Sequence, residues 1–277
     1  MRRLAPRWRL AAGLGLGLWF ALAVFPFLWM LLLSFRRSVD AFASPSRLLA
    51  PLTLDNFEAV WVTDGFWRYA VNTGVVTAAT VAVSVVVGCL AGYALARYRG
   101  PLGFWLLVAA LVFGAMPHVV LLSACRPAFF EWGIWSRYET LIVVLVAINQ
   151  PFTIWLMRAF FLPIPQELDE AALVDGCGRW EAFVRVVLPV AGPGVATAAL
   201  FSFLLAYNDF LISSQLMNGS MQTMTAALGS YMCQNQSATK LMHGIAGAVL
   251  VTLPIVVLVF AFQRQFVAGL TAGAVKQ

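Results

Sequence analysis

Five of the chain's twelve carboxylates fall in one stretch, PIPQELDEAALVDGCGRWEAFVRVVLP, which runs from Pro163 to Pro189. Grouped acids can do three kinds of chemistry: general acid–base catalysis, cation ligation or charged docking to a partner. Nucleophilic catalysis or a zinc-type metal site would need a nucleophile, a histidine or a cysteine pair beside them. The two histidines, His118 and His243, lie far away in the sequence. The four cysteines (Cys89, Cys125, Cys177, Cys233) form no C-x-x-C pair. No metal site and no catalytic residue is expected, and docking is the reading that remains. Outside this stretch, Asn208 and Asp209 end an apolar run, where an ionisable group near membrane depth is a functional candidate. Asn149 and Gln150 interrupt another run beside Pro151. They either line a pathway or hydrogen-bond a neighbouring helix.

These residues are held in a very apolar chain. Of 277 residues, 61% are hydrophobic and 11% charged, with mean hydropathy +0.85. A soluble domain of this length needs more charge to cover its surface. Apolar runs at 10–33, 71–96, 104–125, 139–160, 186–207 and 244–263 approach the roughly 20 residues that cross a bilayer as a helix. The expected fold is an all-α, polytopic transmembrane bundle of six spans forming a single domain over 1–277.

With both termini inside, eleven Lys and Arg fall on inner segments and seven on outer ones, which favours N-in, C-in. Arg36-Arg37 is the exception, directly after the first span. The net charge of +6 therefore reports topology. Nucleic-acid binding would need a basic water-exposed face, and none is found. The basic start (Arg2, Arg3, Arg7, Arg9) resembles a secretory signal, but the apolar run continues past Ala21-Leu22-Ala23 and suits an uncleaved span.

On this topology 161–185 is cytosolic, and 34–70 and 208–243 face outward. Pro165 fits a first helical turn, and Glu167, Asp169 and Glu170 suit a helix N-terminus, whose dipole favours negative charge. Leu168, Ala171, Ala172 and Asp175 follow at helical spacing and give a narrow face of small side chains. Gly176 and Gly178 break the helix, and Trp180 to Val187 starts a second one entering span five. Membrane-surface helices favour Lys and Arg, so an acidic helix at 166–184 reads as a docking helix. Within the spans, Gly13/Gly17 and Gly88/Gly92 are G-x-x-x-G pairs that permit close helix approach. Cys125 and Cys233 both fall on outer segments, so a disulfide between them is conceivable.

Glu170-Ala171-Ala172, Gly176 and Leu188-Pro189 resemble the EAA signature of permease subunits of binding-protein-dependent ABC importers. The resemblance extends through Asn72-Thr73, Met157 to Phe161, Tyr207 to Asp209, Gln263 to Phe266 and Gly269 to Lys276. Together these look like the carbohydrate-uptake branch, specifically the maltose-type second permease. Tyr207 stands where Trp is often seen, which bears on the substrate path, and the chain ends Lys276-Gln277 where Lys-Gly is usual.

The resemblance implies a bacterial-type inner membrane subunit without catalytic activity of its own. It would pair with a second homologous permease, two cytosolic ATPases carrying ATP and Mg, and an external binding protein or lipoprotein. The 166–184 segment would be the coupling helix, with Glu170, Ala171, Ala172, Asp175 and Gly176 meeting the ATPase. Tyr207, Asn208 and Asp209, with Asn149 and Gln150, would be candidates for the path of a sugar or polyol. The chain lacks a G-x-x-x-x-G-K-[ST] phosphate loop, so ATP is expected on the partners. A self-sufficient secondary transporter or channel is the alternative, and it would show an inverted repeat or matched midplane charges, of which none stands out.

Overall fold

The computed structural model describes residues 6–37, 39, 51–98, 100–234 and 237–272. Arg2, Arg3, Asn235, Gln236 and the last residues of the C-terminal pattern lie outside them. Among the described residues every regular element is helical. The chain divides into two compact units: Met1–Trp67 with Ser230–Leu253, and Arg68–Gly229 with Pro254–Gln277.

In the first unit, α1 (Pro6–Ser34) carries leucines and aromatics around its whole circumference, and its residues are exposed or half-buried from Ala12 to Leu33, with Ser34 at its end buried. An added Cβ at Gly13 or Gly17 would meet nothing within 4 Å among the described residues. The short α2 (Asp55–Glu58) runs on as a π-helical turn, Ala59–Thr63. Buried Asn56 ties it to the end of α1, donating to the Ser34 and Arg36 carbonyls at 2.9 and 2.7 Å. Arg36 is itself buried, and Arg37 stands 3.6 Å from Asp55. Arg36-Arg37, the exception to the expected positive-inside pattern, is thus engaged locally by the segment that follows.

The second unit is built on α3 (Phe66–Arg97) and α6 (Tyr138–Phe161). One face of α3 carries Thr73, Thr77, Thr80, Ser84, Gly88 and Gly92 at spacings of three or four, all small and all buried. On α6 the buried positions Leu141, Leu145, Asn149, Thr153 and Met157 recur every four residues. The two stripes meet in parallel and in register. Tyr138 donates to Asn72 at 2.8 Å, Gln150 to the Ser84 carbonyl at 3.3 Å, and Gly88 and Gly92 lie against Thr153 and Met157. The helices approach closely because glycine removes the side chain at the tightest points.

Two expected spans are broken rather than straight. The third is a pair, α4 (Pro101–Gly114) and α5 (His118–Glu131), bent by 81°. Pro117 cannot donate to the helix and drives Met116 out of helical geometry. The freed Gly114 carbonyl is taken by His118 Nε2 at 3.1 Å. Gly114 also abuts Pro151 of α6. The fifth is a pair too, Arg179–Val190 (α8) and Gly192–Tyr207 (α9), bent by 79°, with a π-helical turn at Phe183–Val187. Gly192-Pro193 after Ala191 restarts the helix in a new direction.

Helices α1, α3, α6 and the final helix (Ala238–Ala272) are long and apolar enough to cross a bilayer as single elements.

Candidate functional site

The acidic stretch folds as expected into a short helix, α7 (Glu167–Val174), with Glu167, Asp169 and Glu170 in its first turn. The helix begins two residues after Pro165, which lies ahead of it. Its end is a Schellman motif: Gly176 adopts φ +88°, Gly176 N–H donates to Leu173 O at 3.1 Å, and Cys177 N–H to Ala172 O at 3.0 Å. Gly178 then precedes α8, where the Glu181 carboxylate accepts from Gly178 N–H at 3.2 Å.

Asp169 fixes the rotation of α7. Its Oδ1 accepts from Tyr93 Oη at 2.6 Å, and its Oδ2 accepts from Arg97 Nε at 2.8 Å, with Nη2 2.7 Å away. The Arg97 guanidinium also donates through Nη1 to the carbonyls of Ile164 (3.0 Å) and Phe161 (3.4 Å), at and just beyond the C-terminus of α6. Charge-assisted hydrogen bonds of this kind contribute about 1.5–3 kcal/mol each. Because Asp169 points inward, Ala172, one turn later, is buried as well.

The expected small-residue face is therefore split. Ala172 packs against its own chain, while Glu170, Ala171, Asp175 and Gly176 are exposed and Val174 is 87% exposed. A cavity of about 360 Å³ opens beside the helix, lined by Tyr93, Arg97, Asp169, Glu170, Leu173 and Arg179 among others. The sequence reading missed Tyr93 and Arg97 as part of this site. The available signal was a tyrosine and an arginine one turn apart at the C-terminal end of a span.

The other candidates divide into two groups. Asn149 is buried in α6, where its carbonyls meet the Thr153 hydroxyl at 3.1 and 3.4 Å, and that hydroxyl also lies 3.3 Å from Ser202 of α9. Gln150 reaches α3 through the Ser84 carbonyl at 3.3 Å, whereas the hydrogen bonds of Asn149 stay within α6 and its buried Nδ2 meets no acceptor among the described residues. Tyr207 is buried, its ring stacked on Phe203 and its hydroxyl 4.0 Å from Met224 Sδ. Asn208 is exposed and donates to Leu204 O at 3.0 Å, closing the end of its own helix.

Asp209 starts the next helix, α10 (Leu211–Leu216), accepting from the N–H and hydroxyl of Ser213 at 2.8 Å each. Burial pushes its carboxyl above the ordinary carboxylate value, against the pull of the Ser213 and Ile212 hydrogen bonds. Asn72-Thr73 has a holding role. Asn72 Nδ2 donates to the Ser220 and Gln222 carbonyls at 2.8 Å, and Thr73 Oγ1 accepts from Met224 N–H at 2.8 Å. All four cysteines are free. Among the described residues no group of His, Cys, Asp and Glu has a metal-binding arrangement.

An all-helical chain with several membrane-spanning helices and a short anchored acidic helix between two of them has the fold of an ABC-importer permease. A crystal structure of a bacterial ABC transporter that imports the acidic polysaccharide alginate superposes with TM-score 0.79 at 19% identity, covering 95% of this chain and 99% of that one. The model of the family "binding-protein-dependent transport system inner membrane component" matches residues 84–271. The chain belongs to that family.

A protein of Sinorhizobium fredii named as a probable ABC transporter permease is 36% identical, covering 91% of this chain and 90% of the relative. The trehalose transport system permease of Mycobacterium tuberculosis is 32% identical (92% and 93%). The maltodextrin transport system permease of Bacillus subtilis is 33% identical (81% and 81%). The chain is thus a multi-pass inner membrane permease of a binding-protein-dependent importer, as its sequence motifs implied.

Proposed function

We propose that this chain forms half of the translocation path of an ATP-driven importer for a sugar or related polyol delivered by an external binding protein. It crosses the membrane six times, counting each bent pair as one span, with both termini in the cytosol. A second homologous permease completes the path, and α1, open to its surroundings along its spanning length, faces that partner or lipid. Two separate ATPase subunits hold ATP and Mg and do the hydrolysis. The sugar class is supported by the similarity to the trehalose and maltodextrin permeases. Tyr207, Asn208 and Asp209 on one hand, and Asn149 and Gln150 on the other, remain the candidate substrate-path residues.

The observation that carries this reading is α7: an acidic helix fastened to its own chain at Asp169 while Glu170, Ala171, Asp175 and Gly176 stay exposed. It acts as the coupling helix, seated in a cleft of the ATPase. Glu170 and Asp175 offer charge there, and Ala171 and Gly176 allow close approach. Ala172 supports the helix from behind. The test is co-purification of the ATPase with the permease pair. Glu170→Lys or Gly176→Arg is expected to weaken that association, or to leave an assembled complex that hydrolyses ATP without transport. Full sugar uptake by this chain alone in proteoliposomes would refute the proposal. A ligand screen on the cognate external binding protein identifies the substrate.

A further inference from the structure

Arg97 is the last residue of α3, and its guanidinium ties that helix to both α7 and the end of α6. It pairs with Asp169 of α7 at 2.7–2.8 Å and donates to the Phe161 and Ile164 carbonyls at the end of α6. Tyr93, one turn earlier on the same face of α3, holds the other Asp169 oxygen at 2.6 Å. The Tyr93 ring is packed edge-on to Phe161 at 5.7 Å and tilted against Phe183 of α8 at 4.8 Å between centroids. The Asp169 and Arg97 side chains are each only 17% exposed, so water competes weakly for these contacts. One to two turns along, α3 cannot slide on α6. An ideal Cβ on Gly92 would stand 2.7 Å from Met157 Cβ and 2.9 Å from Arg158 N.

Resting on the coupling-helix reading, we propose that Tyr93, Arg97 and Asp169 form the joint through which α7 drives the membrane helices. A push on α7 meets a charged, three-point attachment to α3 and α6. It is therefore transmitted to both helices together instead of being absorbed by the Leu162–Gln166 turn. Arg97 is the positioning residue of the joint, because only a guanidinium presents donors to a carboxylate and two carbonyls simultaneously. A lysine supplies the charge at one point and leaves the carbonyls unbound.

The test uses the whole reconstituted complex and needs no knowledge of the substrate. Peptide-resolved hydrogen exchange is followed with and without ATP and vanadate. In the unaltered complex, nucleotide changes exchange in 162–178 and in the inner ends of α3 and α6 (88–97 and 153–161) together. Asp169→Asn and Arg97→Gln are expected to confine the response to 162–178 and to cut the α3 and α6 response about fivefold or more. Arg97→Lys and Tyr93→Phe should give intermediate losses, and Tyr93→Phe keeps the ring packing that holds the fold.

A short bis-maleimide tether across an Arg97→Cys, Asp169→Cys pair should restore the response. A merely structural role for the cluster would lower the melting temperature but leave the α3 and α6 response in its normal proportion to that of 162–178. That result overturns the joint, as does a tethered pair that stays unresponsive. Failure of the coupling-helix reading looks different: the unaltered complex would then show no nucleotide response in 162–178 at all.

Discussion

Replacing Gly92 by alanine tests the α3–α6 seam with a single methyl group. The added Cβ would lie 2.7 Å from Met157 Cβ, 2.9 Å from Arg158 N and 3.1 Å from Met157 C. Carbon atoms in ordinary contact sit about 3.5–4.0 Å apart, so the helices must part locally by roughly 1 Å. The obstructing atoms are backbone and Cβ atoms of a buried helix and cannot swing aside as a flexible side-chain end would. Overpacking of this type costs about 1–3 kcal/mol, set against about 0.5–1 kcal/mol regained by removing a mid-helix glycine.

Gly74, on the exposed side of the same helix, meets nothing within 4 Å, so Gly74→Ala should show only the gain. The two variants are therefore expected to differ by about 1–3 kcal/mol, with Gly92→Ala the less stable. The assay is thermal unfolding of the purified permease complex in detergent, with the two variants run side by side. Equal melting temperatures for Gly92→Ala and Gly74→Ala would refute the packing argument.

Gly176 holds φ +88° with open space around it, so Gly176→Ala should cost about 1–2 kcal/mol through backbone strain alone. Helicity of 167–174 would fray, measurable as faster amide exchange at Ala172 and Leu173. The Asp209 carboxyl titrates above its ordinary value, so the folded chain holds that proton more tightly than the unfolded one. Its contribution favours folding below the ordinary carboxylate range and is lost as pH rises through the raised value. Asp209→Asn should flatten that part of the stability–pH profile in chemical denaturation, while weakening the start of α10 by about 1 kcal/mol.

The membrane class, the acidic helix and its glycine stop were legible because each is written in local composition. Gly176 sits where a left-handed residue closes a helix, and the first-turn acids suit its dipole. The rotation of α7 was not legible. It is set by Tyr93 and Arg97, more than seventy residues away, and their pull on Asp169 turns Ala172 inward. The bends at Ala115–Pro117 and Ala191–Pro193 also escaped the span assignment, since hydropathy averages over a break that keeps its apolar side chains.

The two G-x-x-x-G pairs show the same limit. Gly88 and Gly92 mark a close approach of two helices, whereas an added Cβ at Gly13 or Gly17 would meet nothing within 4 Å among the described residues, and nothing in the motif distinguishes them. Asn149 and Gln150 were read as pathway or helix contacts; Gln150 makes a contact to α3, and Asn149 bonds only within its own helix.

The parallel register of α3 and α6 also bears on how the protein is made. Matching positions on the two helices are about 65 residues apart in the chain. At about 5–20 residues per second, α3 leaves the ribosome roughly 3–13 s before its partner. Through that interval the hydroxyls of Thr77, Thr80 and Ser84 and the bare backbone at Gly88 and Gly92 have no α6 to cover them. A nascent chain stalled before Tyr138 thus displays a polar groove to lipid or to the insertion machinery. Completion of α6 removes it, which makes the groove a natural mark by which membrane quality control could tell an unfinished permease from a finished one.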